Sequence, residues 1–116
     1  MADLTVQEIS QTGLNPSFAA AAAGGDSYLN DDRTFFVIKN ADASSHTVTL
    51  TAQRTTFEIT GFGTVTFSDI VVAVPASEER WIKAPPAVYN DGNGKVQATY
   101  DAVTSITVGV IKMPGN

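Results

Sequence analysis

Asp32-Arg33-Thr34-Phe35-Phe36-Val37-Ile38-Lys39-Asn40, then Ala41-Asp42-Ala43-Ser44-Ser45, then His46-Thr47-Val48-Thr49-Leu50-Thr51 is the stretch that decides the fold. Thr34 to Asn40 is apolar on both faces, with Phe35 and Val37 on one and Phe36 and Ile38 on the other. A strand covered on both sides reads this way. His46 to Gln53 alternates, Val48, Leu50 and Ala52 inward and Thr47, Thr49 and Thr51 outward, which marks a half-exposed strand. The five polar and small residues between them suit a hairpin turn.

Outward from this pair, the chain reads as further short strands between turns. Leu4, Val6 and Ile9 mark a strand over Leu4 to Ser10 whose register slips at Glu8, as at a bulge or an edge. Gln11 to Asp32 lacks periodicity. It reads as a long loop, with at most one helical turn at Ser17 to Ala23, because five alanines do not offset helix nucleation. Phe57 and Ile59, then Val65 and Phe67, alternate on either side of Gly61-Phe62-Gly63. Ile70 to Val74 is a strongly apolar strand ended by Pro75, and Arg80 to Lys83 reads as its return. Asn90-Asp91-Gly92-Asn93-Gly94 is a turn that tolerates positive φ, joining Ala87–Tyr89 to Val96–Tyr100. Ser105 to Ile111 alternates last.

Composition agrees. The 116 residues include 33 β-branched side chains against four Leu, and such side chains fit a pleated surface better than a helix. The expectation is an all-β chain, one antiparallel β-sandwich domain over residues 1–116 with seven to nine short strands, immunoglobulin-like or jelly-roll-like. A domain of this size buries roughly two-thirds of its unfolded surface, so a core forms without staples.

Several functions are disfavoured. With no Cys there is no disulfide framework or thiolate chemistry. The net charge is −5 and the seven basic residues are scattered, so no nucleic-acid partner is expected. No signal peptide and no apolar run of about 18 residues is read, so no membrane partner is expected. His46 is the only histidine; beside Ser45 and near Asp42, it reads as a surface residue opening a strand rather than a triad member. A calcium loop beginning at Asp91 would place Lys95 and Ala102 at its fifth and twelfth positions, where carboxylate ligands belong. Turn chemistry accounts better for these residues and for Asp26, Asn30, Asp31 and Asp32. Gly61-x-Gly63 and Gly92-x-Gly94-Lys95 are too short for nucleotide loops. No catalytic residue, metal site or cofactor is expected.

Three groups of residues carry a family resemblance. The first is Leu4-Thr5-Val6-Gln7-Glu8-Ile9-Ser10-Gln11-Thr12-Gly13-Leu14-Asn15-Pro16-Ser17-Phe18, then Gly24-Gly25-Asp26, then Asn30 to Asn40. The second is Val74-Pro75-Ala76 with Glu79-Arg80, and the third Tyr89-Asn90-Asp91 with Val96-Gln97-Ala98-Thr99-Tyr100. In these the chain resembles the small head decoration, or capsid cement, proteins encoded beside the major capsid protein in tailed bacteriophages and prophages. The likeness covers nearly the whole chain in order, and Thr55 to Phe67 matches least. It implies a non-enzymatic virion protein on the capsid exterior, made in the host cytoplasm. Such a protein binds the major capsid protein, self-associates, with a trimer favoured, and stabilises the expanded shell. The regions expected at the interface are the N-terminal strand and the Thr12–Asp32 segment, the latter with Leu14, Pro16, Phe18 and Leu29 as its residues. The alternative is that Leu14 and Phe18 fold back on their own core. Two other functional readings remain: a tail or neck component that assembles into rings, and a carbohydrate-binding adhesin module using Trp81, Tyr28, Tyr89 and Tyr100.

Overall fold

The structure, a computed structural model, describes residues 2–114. Twelve strands run through it: β1 (Ala2–Asp3), β2 (Val6–Glu8), β3 (Ala19–Ala20), β4 (Asp26–Leu29), β5 (Thr34–Asn40), β6 (His46–Leu50), β7 (Thr56–Ile59), β8 (Gly63–Thr66), β9 (Ile70–Val74), β10 (Glu79–Ile82), β11 (Lys95–Tyr100) and β12 (Ile106–Lys112). One helical turn, α1 (Pro86–Tyr89), precedes β11. Two sheets form the body, in the orders β1-β4-β11-β6-β9 and β10-β5-β12-β2, with β3 beside β2 on the same edge of β12. The pairing is antiparallel apart from β1–β4 and β2–β12. A separate two-stranded sheet, β7–β8, stands apart from both.

The all-β sandwich expected from the sequence is what the chain forms. Tyr28, Val48, Leu50, Val74, Val96 and Ala98 from the first sheet pack in one buried cluster with Phe36, Ile38, Ile82, Ile106, Val108 and Val110 from the second. Tyr28 and Phe36 stack across the gap, ring centroids 5.5 Å apart and planes 15° from parallel. The outer face of β5 is covered too: Val37 is fully buried and Phe35 half-buried.

The connections differ from the sequence reading. Asp32 to Thr51 is not a hairpin: β5 lies in one sheet and β6 in the other. Alternation fixes which side chains face inward, and a hairpin and an inter-sheet arch satisfy it equally. Asn40 selects the arch. Buried at its apex, its amide donates to the carbonyls of Ser44 at 2.8 Å and Val74 at 2.9 Å, while its Oδ1 accepts the Asp42 N–H at 2.8 Å. The passage from β9 to β10 also crosses between sheets, around Ser77 at φ 63°.

Gln11–Asp32 is not an unstructured loop, and no helix forms at Ser17–Ala23. The segment contributes β3 on β12 and the buried strand β4 between β1 and β11. Asp26 and Ser27 hid β4, because buried polar side chains break the alternation. Asp26 accepts the Tyr100 hydroxyl at 2.6 Å, and Ser27 donates to Asp3 at 3.0 Å. Of Leu4–Ser10 only Val6–Glu8 forms a strand, β2 on β12, while the preceding Ala2–Asp3 pairs in the other sheet as β1. Ala87–Tyr89 falls in the helical turn α1 rather than a strand. The Asn90–Gly94 turn does form, closed by Asp91 N–H to Lys95 carbonyl at 2.9 Å and Gly94 N–H to Asp91 carbonyl at 3.0 Å.

Candidate docking surface

Among the described residues, Thr55 to Phe67 holds the hairpin that joins neither main sheet. Phe57 lies opposite Val65 and Ile59 opposite Gly63. Side chains alternate across a strand and cross-strand partners share a face. One face therefore carries Phe57, Ile59 and Val65, and the other Thr56, Glu58, Thr64 and Thr66. The Phe62 N–H donates to the Ile59 carbonyl at 2.9 Å across a turn that needs Gly61 at φ 84°. At the base, the Phe67 N–H donates to the Thr55 carbonyl at 2.8 Å, and the Arg54 guanidinium lies 4.8 Å from the Phe57 ring centroid.

This arm is amphipathic, and its apolar face is open. Every residue of β7 and β8 is exposed, and Phe62 at the tip is 88% exposed. The radius of gyration, 15.2 Å, exceeds the roughly 13 Å of a compact chain of this length, consistent with a projecting element. An isolated two-stranded hairpin is marginally stable in water, so the arm gains most from a surface that covers Phe57, Ile59, Phe62 and Val65. The alternation was legible in sequence, but its lack of a covering layer was not.

The residues expected at an interface are dispersed. Phe18 is half-buried and folds back on the outer face of the second sheet. Its ring occupies the space of a side chain at Gly109, where a Cβ would stand 2.8 Å from Phe18 Cδ1. Lys39 Nζ caps the ring 3.9 Å from its centroid. Gln7 clamps the same segment with two 2.8 Å hydrogen bonds to the Ser17 backbone. A cleft of about 420 Å³ opens beside Phe18, between Leu4, Gln7 and Val108. Leu14 is half-buried, Pro16 is exposed, and Leu29, 55% exposed, ends β4.

Trp81 is 53% exposed on β10. Its indole N–H donates to Glu79 at 2.9 Å, and the Phe35 ring lies 6.2 Å away at 56°. Tyr28, by contrast, is fully buried, and burial raises its hydroxyl pKa far above the usual value.

The acidic turn residues are engaged by their own surroundings. Asp31 accepts from the Arg33 N–H and the Thr34 hydroxyl and pairs with Lys112 at 2.9 Å, chiefly a Lys112 contact that holds its carboxyl well below the ordinary range. Asp91 accepts from the backbone of Lys95 and Asn93 and from the Gln97 amide, which lowers its pKa. Asn30 and Asn90 exchange hydrogen bonds of 2.8 and 3.0 Å.

His46 is buried rather than at the surface. Its Nε2 lies 2.7 Å from Asp42 Oδ2, and Nδ1 lies 3.4 Å from Asp101, a distance of electrostatic contact without hydrogen-bond geometry. The Asp42 hydrogen bond raises the imidazole pKa above 6.5 and lowers that of Asp42. A folded-state pKa above the unfolded one contributes stability that is full below pH 6.5 and is lost as pH rises through the raised value. The melting temperature of the protein minus that of His46→Gln should therefore shrink between about pH 6 and pH 9. Thermal melts across that range check this, and a flat difference would contradict the pairing.

The chain matches no protein-family model, no curated protein and no solved structure.

Proposed function

We propose that the protein is a non-enzymatic structural component of a tailed-bacteriophage virion, a head decoration protein that binds the outer capsid surface and stabilises the expanded shell. The observation carrying this reading is the projecting arm, whose open apolar face and aromatic tip suit docking between subunits of a lattice. The resemblance over residues 4–18, 24–26 and 30–40 and the later matching segments supports the capsid as the partner.

The physical role is linkage. A protein that binds the expanded lattice and not free subunits stabilises the lattice by RT ln(1 + [L]/Kd) at each site. A rigid sandwich holds the arm ready, and Phe62 supplies the kind of aromatic anchor that dominates binding energy. Mixing purified protein with undecorated expanded heads should give stoichiometric density by cryo-electron microscopy, with the arm against the shell. Empty sites at saturating protein, or an arm pointing into solvent, would sink the reading.

Trp81 favours a second reading, a carbohydrate-binding module, because an exposed indole with an aromatic neighbour offers a stacking face for a sugar. Glycan-array binding abolished by Trp81→Ala would support it, and an array without signal would remove it.

A further inference from the structure

We propose that two copies of the protein join β9 to β9 about a twofold axis through Val72, merging their five-stranded sheets into one sheet of ten strands. The argument begins with the hydrogen-bond parity of the neighbouring strand. The Asp101 N–H donates to the Thr47 carbonyl at 3.1 Å, and the Thr51 N–H donates to the Gln97 carbonyl at 3.0 Å. In an antiparallel strand, the N–H and C=O of one residue point the same way and alternate along the chain. Thr47, Thr49 and Thr51 therefore face β11, while His46, Val48 and Leu50 face β9. Their partners there are Val74, Val72 and Ile70, whose backbone groups are consumed by β6. The N–H and C=O of Val71 and Ala73 point to the open edge of the sheet.

That edge is unguarded. Open edges are usually blunted by charge, proline or brevity. β10 carries Glu79 and Arg80, the latter paired with Glu78 at 2.9 Å, and β1 has only two residues. β9 has five residues, Ile70-Val71-Val72-Ala73-Val74, with no charge, and Val71 is 63% exposed. It is the longest edge strand of the described sheets.

A second copy is the occupant the strand fits best, because β9 is its own complement. Centred on Val72, the antiparallel register sets Val71 of each copy opposite Ala73 of the other. The two pairs use all four free groups on each strand in four hydrogen bonds. Val72 then faces Val72 in the close non-hydrogen-bonded position, with Ile70 opposite Val74 on the core side. The ends agree. Asp69 falls opposite Pro75, which has no N–H to donate, so the ladder stops there. The Asp69 carboxylate is held by the Ala52 N–H at 2.8 Å, which anchors its charge to its own copy. Such an isologous seam closes on itself. It builds an even-numbered assembly in place of the trimer that the resemblance implies, and it does not depend on capsid binding.

Sedimentation equilibrium of the purified chain tests it. The expected mass is twice 12.2 kDa at concentrations up to about 100 μM, the weak end of specific association. Ala73→Pro removes an N–H that β6 does not use and should give the monomer mass. Val71→Lys, whose side chain already stands in solvent, should do the same by setting two like charges diagonally across the seam. Mixing Val71→Lys with Val71→Glu should restore the dimer mass, which a merely misfolded variant would not do. A monomeric or trimeric parent, or variants that keep the parent's mass, would overturn the seam.

Discussion

Phe36→Ala is expected to destabilise the fold by about 3–5 kcal/mol, lowering the melting temperature by roughly 10–25 °C. Phe36 is fully buried in β5 and stacks on Tyr28 of β4, so its ring is a joint between the two sheets. Truncation leaves a cavity that neither sheet closes, since the backbone of β5 is held on both sides by β10 and β12. A domain is stable by only about 5–15 kcal/mol, so one ring carries a large share. Tyr28→Phe is the matching control. The Tyr28 hydroxyl is buried and has no hydrogen-bond partner, and an unsatisfied buried polar group costs about 1–3 kcal/mol. Its removal should be neutral or slightly stabilising. Denaturant unfolding of both variants checks the pair. A Tyr28→Phe loss above about 1 kcal/mol would mean that the hydroxyl has a partner.

The same residues show what was legible in the sequence. Alternation placed Val48 and Leu50 inside and marked Ser105 to Ile111 as one-sided, and Val48, Leu50, Ile106, Val108 and Val110 are all in the core. Thr34–Asn40 read as apolar on both faces, and Phe36 and Ile38 take the face that meets the core. Alternation is local, and burial of one face follows from it directly. Partner choice is not local. Whether β6 returns beside β5 or crosses to the other sheet depends on carbonyls of Ser44 and Val74 that meet the Asn40 amide only in the folded chain. β4 was illegible for the converse reason. Asp26 and Ser27 read as loop residues, and their partners Tyr100 and Asp3 lie 74 and 24 residues away. For docking, Leu14 and Phe18 stood out because large apolar residues among small ones look like anchors, yet Gly109 leaves room for Phe18 on its own sheet. The arm was read as strands, and its exposure is a property of what fails to pack against it.

Replacing Phe57 and Phe62 by Ser and Ile59 and Val65 by Thr should abolish head binding while leaving the fold intact. None of the four belongs to the buried core cluster, and each is exposed. A melting temperature within a few degrees of the parent is therefore expected, as for surface substitutions of about ±0.5 kcal/mol each. The binding loss should be far larger. An aromatic anchor lost from a desolvated contact costs about 2 kcal/mol or more, so two together weaken binding by roughly a thousandfold. Thr56→Ser with Thr64→Ser, on the opposite face, should change occupancy little, which separates use of the apolar face from a general need for the arm. Excision provides an independent route. The Phe67 N–H to Thr55 carbonyl bond closes the base of the arm at 2.8 Å, so a two-residue Asn-Gly turn replacing Thr56–Thr66 should leave the sandwich folded and unable to decorate. Co-sedimentation with expanded heads measures both. Parent-like binding by the four-residue variant would remove the arm from the interface. A large fall in its melting temperature would show instead that the apolar face is covered by the body of its own chain, and the exposed face on which the docking argument stands would not exist.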